Sequence, residues 1–209
     1  TTTQTLTLAA SDFTAFSFLP HLIERLEALA PRLRIKVIPA THRDSLDDLF
    51  AGRAQVVLGF SDEFSDSYDG VEALEGPTEA YVVMVRQDHQ RIRGSLTMEQ
   101  YLAERHVAVI PWEDEGSVID DVLRRSGIQR DVAIQLSSMM AAPFIVSNSQ
   151  FLITLPSRVA WQLGRTGAFS FYPTPFVTPG YTLKALFHAR HAGTPALRWL
   201  KEQVQETIR

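Results

Sequence analysis

A serine and an aspartate at the end of an apolar strand are the first residues of this chain equipped for chemistry. Residues 6–30 read LTLAASDFTAFSFLPHLIERLEALA. Leu6 and Leu8 alternate with threonines, and the chain turns at Ala10-Ser11-Asp12. From Leu19 the apolar residues fall at Leu22, Ile23, Leu26 and Leu29, a helical period. A strand that feeds a helix through such a turn leaves backbone N–H groups at the helix start. Together with the helix dipole, those groups favour an anion. Phe13, Phe16 and Phe18 follow at once. A carboxylate socket beside aromatic rings would suit a small aromatic or amphiphilic acid. The commoner use of such residues is as a helix cap, here over a phenylalanine core. Pro20 either opens the main helix or kinks its first turn.

Other reactive groupings are weaker. The acidic runs at residues 62–66 and 113–115 read as solvent-facing. Paired carboxylates can do acid/base work, but nothing in the sequence sets a pair around a substrate. His188 and His191 have no companion carboxylate or cysteine, so they make no metal site. There is no Gly-x-Ser-x-Gly elbow, phosphate loop or zinc signature. The absence of cysteine removes disulfide and thiol chemistry. No cofactor, no metal and no enzymatic activity is expected.

The whole chain sets wider bounds. Its 209 residues suffice for one large domain or two small ones, and 45% hydrophobic with 21% charged residues supports an ordinary core. A formal net charge of -4 argues that this chain alone is not built to grip phosphate backbones. No apolar run is long enough for a membrane span. The start, TTTQTLTL, has neither the basic region nor the apolar stretch of a signal peptide. It reads as a processed protein or a piece of a longer one.

The elements that must position Ser11 and Asp12 alternate in type. Residues 33–38 form a strand, 44–51 a helix and 56–60 a strand. Leu46, Leu49 and Phe50 give that helix one apolar face, and Gly52 closes it. Strand, helix, strand, helix, strand predicts a parallel sheet with right-handed crossovers. Three loops then reach its ligand-binding edge: 11–13, 40–41 and 59–62. Residues 71–74 and 80–85 follow as strands, the second apolar throughout and buried on both faces.

A second alternation comes next: helix 97–102, strand 107–110, helix 116–126, strand 132–136, apolar helix 139–146, strand 151–155, helix 157–163 and a strand near 169–172. Residues 183–189 return as a strand, and Thr194-Pro195 opens a last helix lined by Leu197, Leu200, Val204 and Ile208. Two α/β halves joined by two crossings predict a hinge with a cleft between lobes.

At this point the chain resembles a known family over its full length: the effector-binding domain of LysR-type transcriptional regulators. The matching phrases are LTLAASDF, FLPHLIERLEALAP, LDDLFAGRAQVVLGF, VVMVRQDHQ, VLRRSGI, FLITLPSRVA and FHARHAGTPALRWLKEQV. Their order and spacing carry the match. The tail, with His188, Arg190, Pro195, Trp199 and Leu200, looks most like the branch of nodulation and aromatic-degradation activators. One phrase departs: in residues 146–156, Ser149 and Phe151 stand where the wider family often has glycines. That branch tends to lack them too.

The resemblance implies a two-lobed α/β fold like that of periplasmic binding proteins, each lobe a mostly parallel sheet flanked by helices. Residues 1–84 plus 183–209 would form one lobe and residues 85–182 the other. It implies a small-molecule effector in the cleft, a homodimer or homotetramer, a cytoplasmic location and no membrane contact. Promoter DNA would be gripped by an N-terminal winged helix-turn-helix that this chain lacks. Carried over by position, the effector-binding residues are Ser11, Asp12 and Phe13, then Thr41, then Phe60 with Ser61. From the other lobe come Trp112, Ser138 and Met139, with His188 near the returning strand. Met139 and Trp112 could instead be core, and His188 a satisfied structural residue. Two opposed helix starts would hold one carboxylate between them. The rival readings are a free-standing solute-binding protein of a transporter, a two-lobed enzyme, and a domain whose cleft is filled and only assembles.

Overall fold

The computed structural model describes residues 5–40, 42–60, 68–110, 117–165, 167–190 and 193–208. Compactness divides the chain into two units. One is Thr1–Thr78 with Thr182–Arg209; the other is Glu79–Tyr181. The outgoing crossing therefore falls at Thr78–Glu79 and the returning one at Tyr181–Thr182.

In the first unit, β1 (Thr5–Ala10) lies between β2 (Arg34–Pro39) and β3 (Val56–Phe60), parallel to both. The predicted βαβαβ alternation is there. β10 (Tyr181–His188) then pairs antiparallel with β3, and β4 (Val71–Glu79) closes the order β2-β1-β3-β10-β4. The sheet is thus mixed. β4 runs nine residues, through Gly76 and Pro77, where the sequence pattern stops at Leu74. An edge strand tolerates a proline because its outer N–H faces no neighbour.

Period-two alternation sorts this sheet's side chains into two layers. Leu6, Leu8, Val56, Leu58, Ala185 and Phe187 face one way, toward α1 (Asp12–Leu29) and α7 (Pro195–Ile208). Ala9, Val57 and Leu186 face the other, with Leu46 and Leu49 of α2 (His42–Phe50). α1 buries Phe18, Leu22 and Leu26; of the expected apolar period Leu22 and Leu26 are core, while Ile23 and Leu29 stand 38% and 56% exposed. It is one helix with Pro20 inside it, neither a late start nor a separate first turn. Pro20 removes one backbone donor and is exposed.

The second unit has the order β7-β6-β8-β5-β9: β7 (Asp131–Leu136), β6 (Arg105–Val109), β8 (Leu152–Pro156), β5 (Tyr81–Arg86) and β9 (Phe169–Pro173). β6 is parallel to β7 and β8, whereas β5 is antiparallel to β8 and β9. This sheet is evenly mixed, not mostly parallel. Val83, Met84 and Val85 are all fully buried, as an inner strand covered on both faces requires. The helices are α3 (Met98–Ala103), α4 (Val118–Arg125), α5 (Ala142–Ser147) and α6 (Ser157–Gly164). Thr97 and Gln100 start α3 with a reciprocal capping box. The class is the expected α/β, periplasmic-binding-protein-like fold. No helix among the described residues is long and apolar enough to cross a membrane.

Candidate functional site

Parallel strands of one sheet deliver their C-terminal ends to one edge, and in the first unit that edge carries Ser11, Ala40 and Phe60. The Ala40 N–H donates to the Ala10 carbonyl at 3.0 Å, fastening the loop after β2 to the loop after β1. Ser11 sits in extended conformation as the N-cap of α1, and its hydroxyl accepts the Thr14 N–H at 3.4 Å. Thr14 is fully buried. Its Oγ1 lies 3.0 Å from Ser11 Oγ and donates toward the carbonyls of Ser11 and Leu58 at 3.0 and 3.2 Å. The helix start is therefore tied to β3 by one threonine that the sequence pattern did not single out.

That geometry gives Ser11 a structural task. It is 3% exposed, and its hydroxyl is engaged in capping. Asp12 and Phe13 are half-buried in the first turn, and Phe60 is half-buried at the end of β3. The Asp12 carboxylate already complements the positive end of the helix dipole. An anion arriving here would share that field with it. Thr41 and Ser61 lie outside the described residues.

His188 is not brought to this edge. In the antiparallel register Leu183 faces Phe60 and Leu186 faces Val57, so the end of β10 runs away from the C-terminal ends of β1 and β3. His188 packs edge-on against Phe50 with ring centroids 5.3 Å apart, and its Nδ1 accepts the Arg190 N–H at 3.1 Å. The physical reason is strand direction: a returning antiparallel strand ends where its neighbours begin.

In the second unit the corresponding edge holds the ends of β6 and β7. The Ile110 N–H donates to the Leu136 carbonyl at 2.8 Å, and Ser138 follows two residues later. Ser138 is exposed and its Oγ accepts the Met140 N–H at 3.3 Å. The helix expected over residues 139–146 is a 3-10 turn, Met139–Ala141, followed by the short α5. Pro143 near the start of α5 accounts for the break. A one-turn start of this kind carries little aligned dipole. Met139 is 2% exposed and belongs to the core, so its expected role as a pocket wall gives way to packing, while Met140 and Phe144 stand 80% and 69% exposed. Trp112 lies outside the described residues.

Sequence reasoning also missed a buried polar cluster beneath this sheet. The Arg130 side chain is 2% exposed and pairs with Asp120 through Nε to Oδ1 at 2.6 Å and Nη2 to Oδ2 at 3.1 Å. Its Nη1 donates to the Tyr101 hydroxyl at 3.4 Å, and that hydroxyl meets Thr154 Oγ1 at 3.0 Å. Burial pulls Arg130 down, but Asp120 and Tyr101 outweigh it and leave its pKa raised. His106 is fully buried, and its Nε2 donates to the Tyr101 carbonyl at 2.8 Å. Its Nδ1 has no hydrogen-bond partner among the described residues. Burial, then the Arg130 charge, lowers its pKa to about 4, which keeps the ring neutral. A histidine inside the apolar run RHVAV was the available signal. Among the described residues no group of three or more His, Cys, Asp or Glu could hold a metal ion.

The fold has counterparts in known proteins. A family model described as the LysR substrate binding domain matches residues 1–209. The chain is 24% identical over 200 residues to the HTH-type transcriptional activator NagR of a Ralstonia species, covering 96% of this chain and 65% of that protein. It is 26% identical over 202 residues to the HTH-type transcriptional activator NahR of Pseudomonas putida, covering 97% and 66%. The chain thus spans just under two thirds of the length of these two curated relatives. Among solved structures, the probable transcriptional regulator PA0477 from Pseudomonas aeruginosa matches with a TM-score of 0.88 at 38% identity, covering 98% of this chain and 68% of that one. With the match running from the first residue to the last, this chain belongs to the family of LysR substrate-binding domains.

Proposed function

We propose that this chain is the effector-sensing domain of a cytoplasmic LysR-type transcriptional regulator, and that its effector is a small aromatic or carboxylate compound. The effector binds at Ser11, Asp12, Phe13, Thr41, Phe60 and Ser61 of the first unit and at Trp112 and Ser138 of the second. Its differential affinity for two arrangements of the units shifts their equilibrium, since a ligand moves such an equilibrium in no other way. The shift passes to promoter DNA through a DNA-binding portion outside this chain, in a homodimer or homotetramer. The full-length family match carries this reading. The helix start at Ser11, with half-buried Phe13 and Phe60 on the same edge, supports the ligand class.

Thermal stability against a panel of aromatic and aliphatic carboxylates tests it. A ligand at about 100 times its dissociation constant adds roughly 2.7 kcal/mol when it binds the folded state alone. Stabilisation by an aromatic acid, weakened in both Phe13→Ala and Ser138→Ala variants, is the expected result. Stabilisation by none of the acids would remove the ligand class. Stabilisation unchanged in both variants would remove the site.

A further inference from the structure

The chain passes between its two units twice, once along β4 and once along β10, and α7 lies over both strands just inside the first unit. Ile208, the last residue of α7, is 2% exposed. A Cβ on Gly76 of β4 would come within 3.0 Å of the Ile208 carbonyl oxygen, 3.2 Å of its Cγ1, and 3.6 Å of the Leu183 carbonyl of β10. Gly76 does not adopt a positive φ, so its missing side chain answers to this close approach and not to backbone conformation. Further along, Lys201 of α7 pairs with Glu72 of β4. Thr78 and Thr182, the last and first residues of the unit at the two crossings, join their hydroxyls at 2.8 Å.

We propose that the last turn of α7 is a clamp on the crossing strands. It fills the space over Gly76, holds β4 beside β10 immediately before both strands leave the unit, and so sets how freely they flex at the crossings. Coupling of that flexing to an effector rests on the function proposed above; the clamp itself does not.

Hydrogen–deuterium exchange of the full chain, without ligand, tests the clamp. Ile208→Ala should speed amide exchange in residues 76–80 and 181–184 by about tenfold or more, because truncating a buried isoleucine destabilises its surroundings by at least that factor. Residues 6–10 and 56–58 should change far less. Gly76→Ala, which pushes on the helix end from the strand side, should act on the same amides. It also carries the test should Ile208→Ala unfold the unit. Leu49→Ala, buried on the opposite face, should raise exchange in the central strands without favouring the crossings. Uniform acceleration by Ile208→Ala and Gly76→Ala, or none at the crossings, overturns the clamp. Because no ligand enters this measurement, its failure is separate from a failure of the thermal-shift panel.

Discussion

Replacing Asp120 by asparagine keeps its shape and removes its charge, and the consequence falls on Arg130. The guanidinium is 2% exposed and donates both of its short bonds to this one carboxylate. Arginine does not shed its proton in a protein, so the variant holds an unpaired buried cation. Breaking a buried pair from one side costs about 3–5 kcal/mol. Asp120 is itself 27% exposed, which lets water share the load, and the Ser117 and Tyr101 oxygens remain at 3.4 Å as weak partners. The lower end, about 3 kcal/mol, is therefore expected. Asp131→Asn is the control, since Asp131 and its partner Arg105 are 62% and 57% exposed. It should cost less than about 1 kcal/mol. In urea, with a slope near 2 kcal/mol per molar, Asp120→Asn should lower the midpoint by roughly 1.5 M. Equal midpoints for the two variants would refute the claim that burial of Arg130 makes the pair matter.

Four further outcomes follow from the geometry. His106 titrates near 4 when folded against about 6.5 unfolded, so the unfolded chain binds the extra proton between those values. Stability should be fully present above pH 6.5 and fall by about 3 kcal/mol on acidification toward pH 4, a slope that His106→Phe should abolish. Ser11→Ala should cost about 1 kcal/mol in thermal or urea unfolding through loss of the α1 cap, whatever its effect on ligand. Gly164→Ala would set a Cβ 2.6 Å from the tip of the half-buried Phe171 ring, which can swing aside, so the gain in helix propensity should hold the change in unfolding free energy within about 1 kcal/mol. Phe144→Ser, at a residue 69% exposed, should leave unfolding within about 0.5 kcal/mol of the parent.

What could be read from the sequence was what local periodicity encodes. The spacing of Leu22 and Leu26, the unbroken apolar run of β5 and the Thr194-Pro195 helix start all announce their elements without reference to the rest of the chain. The edge carrying Ser11 and Phe60 follows from the βαβ order alone. What was not legible depends on partners distant in sequence. β4 continues through Pro77 because it lies at a sheet edge, which no local pattern reveals. Met139 is core and Met140 is solvent-facing, although the two share a residue type and a neighbourhood, because a 3-10 turn sets their directions. Thr14 matters through Leu58, and Arg130 through Tyr101, contacts that only the folded chain creates.

The first unit is assembled from both ends of the chain, and this has a consequence for its synthesis. β10 is inserted between β3 and β4, yet it leaves the ribosome only after everything from Glu79 to Tyr181. At about 5–20 residues per second, the early strands wait on the order of 5–20 s with an open seam. The contiguous second unit can close on itself during that interval. The seam is an unpaired apolar edge of β3, Val56-Val57-Leu58, and nascent chains would be most prone to mispair there. A circular permutant that begins at Glu79 would make the first unit's segments continuous and shorten that exposure.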